Sequence, residues 1–411
     1  MSNKLQKNFF GAILCFVLIA AIAVCFAVYI LRSNEDNSVE YIGIDQHAEG
    51  ATMGTFYSIR VHNFPKNKDW NIFTAEVQKQ LDQIEQKMSL FNPNSEVSKF
   101  NDSKSLDWFS VSSETFEVVS LAAEISAFSG GAFDITATPL VNIWGFGNDR
   151  KRRSIDEIIR EVAKLKTSVG YEKLTMKLNP PAIKKAVPEL KINLAAIAKG
   201  YAVDVISRFC DDSGLTDYMI EIGGEVCCKG DKGKGNDWRV GIETPVIIPR
   251  GEWGEVYQII NIKNQCMATS GGNRNFHIID GKSAEAVLKS EKLNTQAQQH
   301  GAVVQGRSLP PIPAPVYYSH LIDPRTGLPC QSGNEEDFAT GEQLASVSVL
   351  DKSCARADAL ATAFFVLGAN EGLKIANKHN VPVLFLIRKD KKIREITSDS
   401  FYKFAAKNTK N

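Results

Sequence analysis

Met219-Ile220-Glu221-Ile222-Gly223-Gly224-Glu225-Val226-Cys227-Cys228 is a strand-like run with a glycine pair inside it, and its reading decides the fold. Glycine is the residue a chain uses where the backbone turns sharply, so the pair marks a turn within extended structure. Working outward, Trp238 to Glu243, Val256 to Ile262 and Leu344 to Leu350 are further strand-like segments separated by turn signals. Ala51 to Val61, carrying Thr52, Phe56, Tyr57, Ile59 and Val61, reads as a first strand, and Val381 to Ile387 as a last one. Between them helical spacing recurs. Phe73, Val77, Leu81, Ile84 and Met88 mark one face of a helix over Asn71 to Met88. Further helices are expected over Glu114 to Ser129 (ended by Gly130 and Gly131), Ser154 to Ser168, Ala196 to Cys210, Ala355 to Leu367 and Glu371 to His379. Several strands read as antiparallel hairpins. The expected fold is therefore α+β, not a doubly wound parallel sheet.

The chain has 411 residues, 44% hydrophobic and 23% charged, with 48 Lys+Arg against 47 Asp+Glu. That composition belongs to a folded globular protein, long enough to bury a core without a disulfide scaffold. A net charge of +1 argues against nucleic acid as the main partner, because neutralising phosphates takes a clustered excess of cations. From Phe9 to Leu31 no residue is charged, and 23 helical residues at ~1.5 Å each reach about 34 Å, enough to cross a bilayer. Lys4 and Lys7 precede this segment while Glu35, Asp36 and Glu40 follow it, so the N-terminus is expected in the cytoplasm and the body outside. A cleaved signal peptide and a lipoprotein signal acylated at Cys25 are the competing readings. Val24 before that cysteine is bulkier than lipid processing prefers, and the apolar run exceeds a usual signal core.

Cys210, Cys227, Cys228, Cys266, Cys330 and Cys354 lie in the body with no CxxC pair and no zinc-like spacing. In an oxidising compartment some can pair, but their partners are not assignable from sequence. Asp280 to Val316 is polar and then proline-rich, with Pro310, Pro311, Pro313 and Pro315, which predicts a surface insertion.

Three constellations can carry chemistry. Gly130-Gly131, Gly223-Gly224 and Gly271-Gly272 either make turns or aim backbone amides at phosphate oxygens. Asp358 and Thr362, four apart on an expected helix, share a face and offer the oxygen donors Mg²⁺ prefers. His320, ahead of Asp323-Pro324-Arg325-Thr326-Gly327, is placed to move protons or is simply a loop histidine. Lys199 lacks the surrounding pattern of a P-loop.

Read together, certain segments resemble FAD:protein FMN transferases, the ApbE family of flavin transferases. They are Met53-Gly54-Thr55, Ser89-Leu90-Phe91-Asn92-Pro93, Gly131-Ala132-Phe133-Asp134-Ile135-Thr136, and Asn193 through Asp204 around Ala196-Ile197-Ala198-Lys199-Gly200. Glu221 to Glu225, Ala268-Thr269-Ser270-Gly271, His320 to Gly327 and Ala357 to Ala363 complete the set. The resemblance implies a T-fold-related α+β fold of mainly antiparallel sheets flanked by helices, preceded here by one N-terminal transmembrane helix. It implies Mg²⁺-dependent transfer of the FMN half of FAD to a Thr or Ser hydroxyl of a partner protein, releasing AMP. Met53, Phe91, Ala132, Phe133, Asp134, Asn193 and Lys199 would line the FAD site, with Thr269, Ser270 and Gly271 near the flavin or its phosphates. The Ala196 carbonyl, Asp358 and Thr362 would hold Mg²⁺, and His320, together with Asp358, would be catalytic.

The family commonly has aspartate where Asn193 stands, so one negative charge is missing there. The implied acceptor is a subunit of a Na⁺-pumping NADH:quinone reductase or Rnf-type complex, and the implied place the bacterial inner membrane with the catalytic domain in the periplasm. Hydrolysis of FAD to FMN and AMP, or non-catalytic flavin carriage, are the alternative functions. The expected layout is a cytoplasmic stub and anchor over 1–32, a linker over 33–50, the transferase domain over 51–395 with the insertion at about 280–316, and a tail over 396–411.

Overall fold

The computed structural model describes residues 45–147, 153–246, 254–272, 276–279, 316–333, 343–389 and 392–408. The expected anchor, most of the expected linker and nearly all of the 280–316 insertion lie outside these residues. The strands are β1 (Gln46–Thr52), β2 (Thr55–Val61), β3 (Phe109–Ser110), β4 (Leu174–Lys177), β5 (Ala182–Lys185), β6 (Tyr218–Ile222), β7 (Glu225–Lys229) and β8 (Trp238–Glu243). They continue with β9 (Val256–Ile262), β10 (Gln265–Gly271), β11 (Phe276–Ile279), β12 (Val316–Asp323), β13 (Leu328–Gly333), β14 (Gln343–Asp351), β15 (Val383–Lys389) and β16 (Lys392–Thr397). The helices are α1 (Trp70–Met88), α2 (Glu96–Asp102), α3 (Ser113–Phe128), α4 (Thr138–Ile143), α5 (Ile155–Leu165), α6 (Ala198–Asp212), α7 (Cys354–His379) and α8 (Asp399–Asn408).

One eight-stranded sheet runs β1-β2-β6-β7-β10-β14-β15-β16, and every neighbouring pair in it is antiparallel. Both faces are buried, and the strand alternation sorts residues between them. Ile220, Cys227, Cys266, Val347 and Val349 face a core shared with α1, α3, α6 and α7. Val226, Cys228, Met267, Leu350, Leu384 and Leu386 face the other way, onto the β8–β9 hairpin and Phe401 of α8. A third cluster joins α4, α5 and β12–β13 through Leu140, Trp144, Val162 and Ile322. The α+β expectation holds: the sheet is antiparallel and the helices are segregated from it.

Differences from the sequence reading have local causes. Ala51 to Val61 is not one strand. The chain reverses at Met53-Gly54, both in the left-handed region with φ 50° and 73°, and Thr52 pairs with Thr55. A two-residue hairpin needs such dihedrals at both central positions, and methionine carries no signal for them. Gln46 to Gly50, read as linker, belongs to β1. Residues past Thr397, read as tail, form α8, and Val381 to Ile387 is followed by one more strand, β16. Cys227 and Cys266, directly opposed on β7 and β10, form a disulfide. Cys210, Cys228, Cys330 and Cys354 are free.

Two helices meet end to side, and this contact positions the functional cavity. A Cβ on Gly200 would collide with the Cys354 carbonyl, so only glycine lets α6 approach the start of α7 this closely. Asp204, one turn later, accepts from Cys354 N at 2.7 Å, Ala355 N at 3.0 Å and Ser353 Oγ at 2.7 Å. A carboxylate there satisfies orphan N–H groups and opposes the positive end of the helix dipole. Helix α7 breaks once, at Gly368 with φ 76° and ψ 165°, matching the two separate helices read from the sequence.

Candidate functional site

A cavity of about 900 Å³ opens beside this helix contact, large for a small-molecule site and of the size a dinucleotide needs. Its walls come from β2, β6, β7, β8, β10, α6, α7, the loop carrying Ala132 to Ala137, the segment carrying Asn193 to Ala196, and His320 of β12. The two glycines of the β6–β7 turn have φ 59° and 101°. A side chain at Gly223 would press on Thr55 at 2.8 Å and on the Lys199 stem at 3.2 Å. The turn thus brings Glu225 up to Lys199.

Lys199 Nζ lies 2.6 Å from Glu225 Oε1; the lysine side chain is 29% exposed, on the cavity wall, and the glutamate 3%. Glu225 Oε2 is buried without a hydrogen-bond partner. Asp358, also buried, accepts from Gly200 N through Oδ2 at 3.1 Å, and among the described residues no donor bonds its Oδ1. Burial raises the Glu225 carboxyl despite the Lys199 charge, and burial likewise raises Asp358. Burial works against the Lys199 charge, but Asp358 and Glu225 outweigh it and hold the lysine above its ordinary value. One lysine faces two buried carboxylates, and Glu225 Oε2 has no partner, so buried acceptor oxygens outnumber the donors the protein brings to them.

That surplus is the reason to test a cation here. Among the described residues no three His, Cys, Asp or Glu side chains form a metal-binding group, so a metal would rely on oxygens of mixed kinds. They are present. Gly200 N–H, in the first turn of α6 where no helical acceptor exists, donates to Asp358, and among the described residues no backbone N–H bonds the Ala196 carbonyl just ahead of that helix. Ala196, Asp358 and Thr362 all line the cavity, and Thr362 Oγ1 is 3.0 Å from Ser270 Oγ. Carboxylate, carbonyl and hydroxyl are the donors a hard divalent cation takes, so these residues fit one.

The sequence-derived residues largely converge. Ala132, Phe133, Asp134, Asn193, Ala196, Lys199, Thr269, Ser270, Gly271, His320, Asp358 and Thr362 all line the cavity. Two do not. Met53 sits in the hairpin turn, its N–H 3.3 Å from Glu85 Oε2, in a shallower hollow of about 380 Å³ that shares Thr55 and Phe56 with the main cavity. Phe91 is 86% exposed in a turn where its N–H bonds Ser89 Oγ.

Asp134 is half-buried, burial raises its carboxyl, and both its oxygens accept backbone N–H groups, from Thr136 at 2.8 Å and Tyr171 at 2.9 Å. It shapes the loop. Asn193 Oδ1 accepts from Ala195 N at 2.9 Å, an acceptor task that an aspartate performs equally, so the missing charge leaves this turn intact. His320 stands near Phe146, ring centroids 6.4 Å apart.

The sequence reading gave no role to Glu225, Arg60, Arg239, Thr138 or Ser346, which also line the cavity. Thr138 Oγ1 and Ser346 Oγ are buried without partners. The signal for Glu225 was a lone acid in the apolar run after the glycine turn.

A helix-backed antiparallel sheet holding a cavity of this size, with a lysine and carboxylate, carbonyl and hydroxyl oxygens on its wall, suits an enzyme that handles a nucleotide. The chain matches the ApbE family over residues 53–304 and 314–385, and it belongs to that family. It is 34% identical over 361 residues to the FAD:protein FMN transferase of Vibrio cholerae, covering 88% of this chain and 93% of that one. It is 30% identical to the protein of that name from Haemophilus influenzae, covering 86% and 90%. The solved flavin transferase ApbE from Vibrio cholerae superposes with a TM-score of 0.67 at 32% identity, over 88% of this chain and 99% of that one. The apo flavinyl transferase ApbE of Pseudomonas stutzeri does so with 0.68 at 26% identity, over 88% and 97%. The chain is an enzyme of the transferase class.

Proposed function

We propose that the chain transfers the FMN half of FAD to a Thr or Ser hydroxyl of a partner protein, forming a phosphoester and releasing AMP. The observation that carries this reading is the Lys199, Glu225 and Asp358 cluster on the wall of a dinucleotide-sized cavity, in a chain of this family. Transfer breaks the bond between the FMN phosphorus and the bridging oxygen, which leaves with AMP, while the acceptor oxygen bonds to phosphorus and gives up its proton. Lys199, held cationic, binds phosphate oxygens. His320 takes the acceptor proton, a hydroxyl of high pKa needing a base within reach. Thr269, Ser270 and Gly271 orient the phosphates, and the walls from Ala132 to Asp134 and at Asn193 hold the rings. Ala196 through its carbonyl, Asp358 and Thr362 hold Mg²⁺, which when bound offsets the pyrophosphate charge as it moves to the leaving group.

The acceptor is a subunit of a membrane electron-transfer complex of the Na⁺-pumping NADH:quinone reductase or Rnf type. Residues Phe9 to Leu31 tether the body outside the bacterial inner membrane, a reading supported by the charge-free run and by the lysines before it.

Incubation of the full-length chain with FAD, Mg²⁺ and an acceptor fragment tests this. Covalent flavin fluorescence on the acceptor with stoichiometric AMP is expected, and Asp358→Ala should lower the rate by about 10²-fold or more. AMP with free FMN would instead identify a hydrolase, and unchanged bound FAD a carrier. Recovery of the chain in the soluble fraction of lysed cells would refute the tether.

A further inference from the structure

Lys199 has two buried carboxylates near it but bonds only one. Its ammonium is 2.6 Å from Glu225 Oε1, while no ion pair within 4.0 Å joins it to Asp358, although the Asp358 charge acts on it. Asp358 takes one backbone N–H through Oδ2, and among the described residues its Oδ1 has no donor. The lysine is flexible and its head is a compact cation. Gly223, having no side chain, leaves room for its stem, and Glu225 holds the head. Without that hold, the strongest remaining partner for a buried ammonium is Asp358.

We propose that Glu225 is a positioning residue that ties down Lys199 and so keeps Asp358 open for a divalent cation. The inference rests on the cation reading of Ala196, Asp358 and Thr362 given above. Glu225 itself touches neither cation nor substrate in this account; it acts through the lysine. Its removal lets the ammonium swing onto Asp358 and compete with the metal for the same oxygens, an intramolecular competitor that dilution does not remove.

Mn²⁺ binding to the full-length chain, followed by loss of the free-ion electron paramagnetic resonance signal, tests this without relying on turnover. Glu225→Ala is expected to weaken Mn²⁺ binding about tenfold or more. Removing a negative charge weakens cation binding by itself, so the deciding quantity is the double-variant cycle with Lys199→Met. If the lysine captures Asp358, Lys199→Met raises Mn²⁺ affinity about fivefold or more further in the Glu225→Ala background than in the parent chain. Additive effects, which charge counting alone gives, overturn the proposal, as does unchanged affinity in Glu225→Ala. Should Glu225→Ala not fold, as judged by its thermal melt, the cycle is run with Glu225→Gln, which keeps the side-chain volume. Mn²⁺ binding that survives Asp358→Ala would overturn the cation reading, and this proposal with it. Binding lost in Asp358→Ala but indifferent to Glu225 overturns only the present one.

Discussion

Lys185 is 1% exposed, and its Nζ donates to the carbonyls of Phe100 and Ser103 at 2.9 Å and of Leu190 at 3.0 Å, 4.4 Å from the Phe100 ring centroid. Three acceptors match the three donors of an ammonium, yet burial, with Lys104 and Lys191 adding to it, lowers its pKa to about 8. Below pH 8 the group is charged in both folded and unfolded chains and contributes no pH dependence. Between 8 and the ordinary value of 10.5, the unfolded chain keeps a proton that the folded chain gives up, so stability rises with pH across that window. Urea melts of the parent and of Lys185→Met should therefore show the parent gaining relative stability from pH 8 to 10.5. A constant difference would refute the shift. Residues of this kind are where sequence reading stops: Lys185 sits in a strand-like run with other lysines, and nothing in its neighbours announces that it turns inward. Asp358 and Thr362 were legible because helical spacing places them on one face whatever the tertiary structure. Glu225 was not, since its partner lies on a helix distant in sequence.

At the scale of elements, the crossing of α6 and α7 fixes the geometry of the cavity wall. Gly200→Ala pushes a methyl into the Cys354 carbonyl, and overpacking at a backbone contact costs about 1–3 kcal/mol. Separating the helices also stretches the bond from Gly200 N to Asp358. The variant is expected to unfold at a lower temperature and to lose transferase activity by about tenfold or more; parent-level rates would show that this crossing does not set the Asp358 position. Helix positions were readable within a few residues because Phe73, Val77, Leu81, Ile84 and Met88 are all buried as their spacing requires. The β1–β2 hairpin was missed because its turn uses Met53 at φ 50°, a conformation the sequence does not advertise. Strand β16 and helix α8 were missed because their apolar residues are few; Phe401 is buried by a sheet face that only the assembled fold supplies.

Across the whole molecule, the antiparallel sheet was foreseeable from its turns, but strand order was not, since β10 lies between β7 and β14 through pairings far apart along the chain. Those pairings have a use. Gly200 and Asp358 are 158 residues apart, and two pairings, β10–β14 in the large sheet and β11–β12 in a smaller one, join strands before 280 to strands after 315. A polypeptide opened between Asp280 and Pro315 would therefore yield two pieces, one carrying Ala196 and Lys199 and the other Asp358 and Thr362, each with strand edges left unpaired. Co-expressed, the pieces are expected to reassociate along those edges and recover activity that neither has alone, so the protein would serve as a reporter whose signal depends on complementation. Activity in either isolated piece would contradict this division of the site.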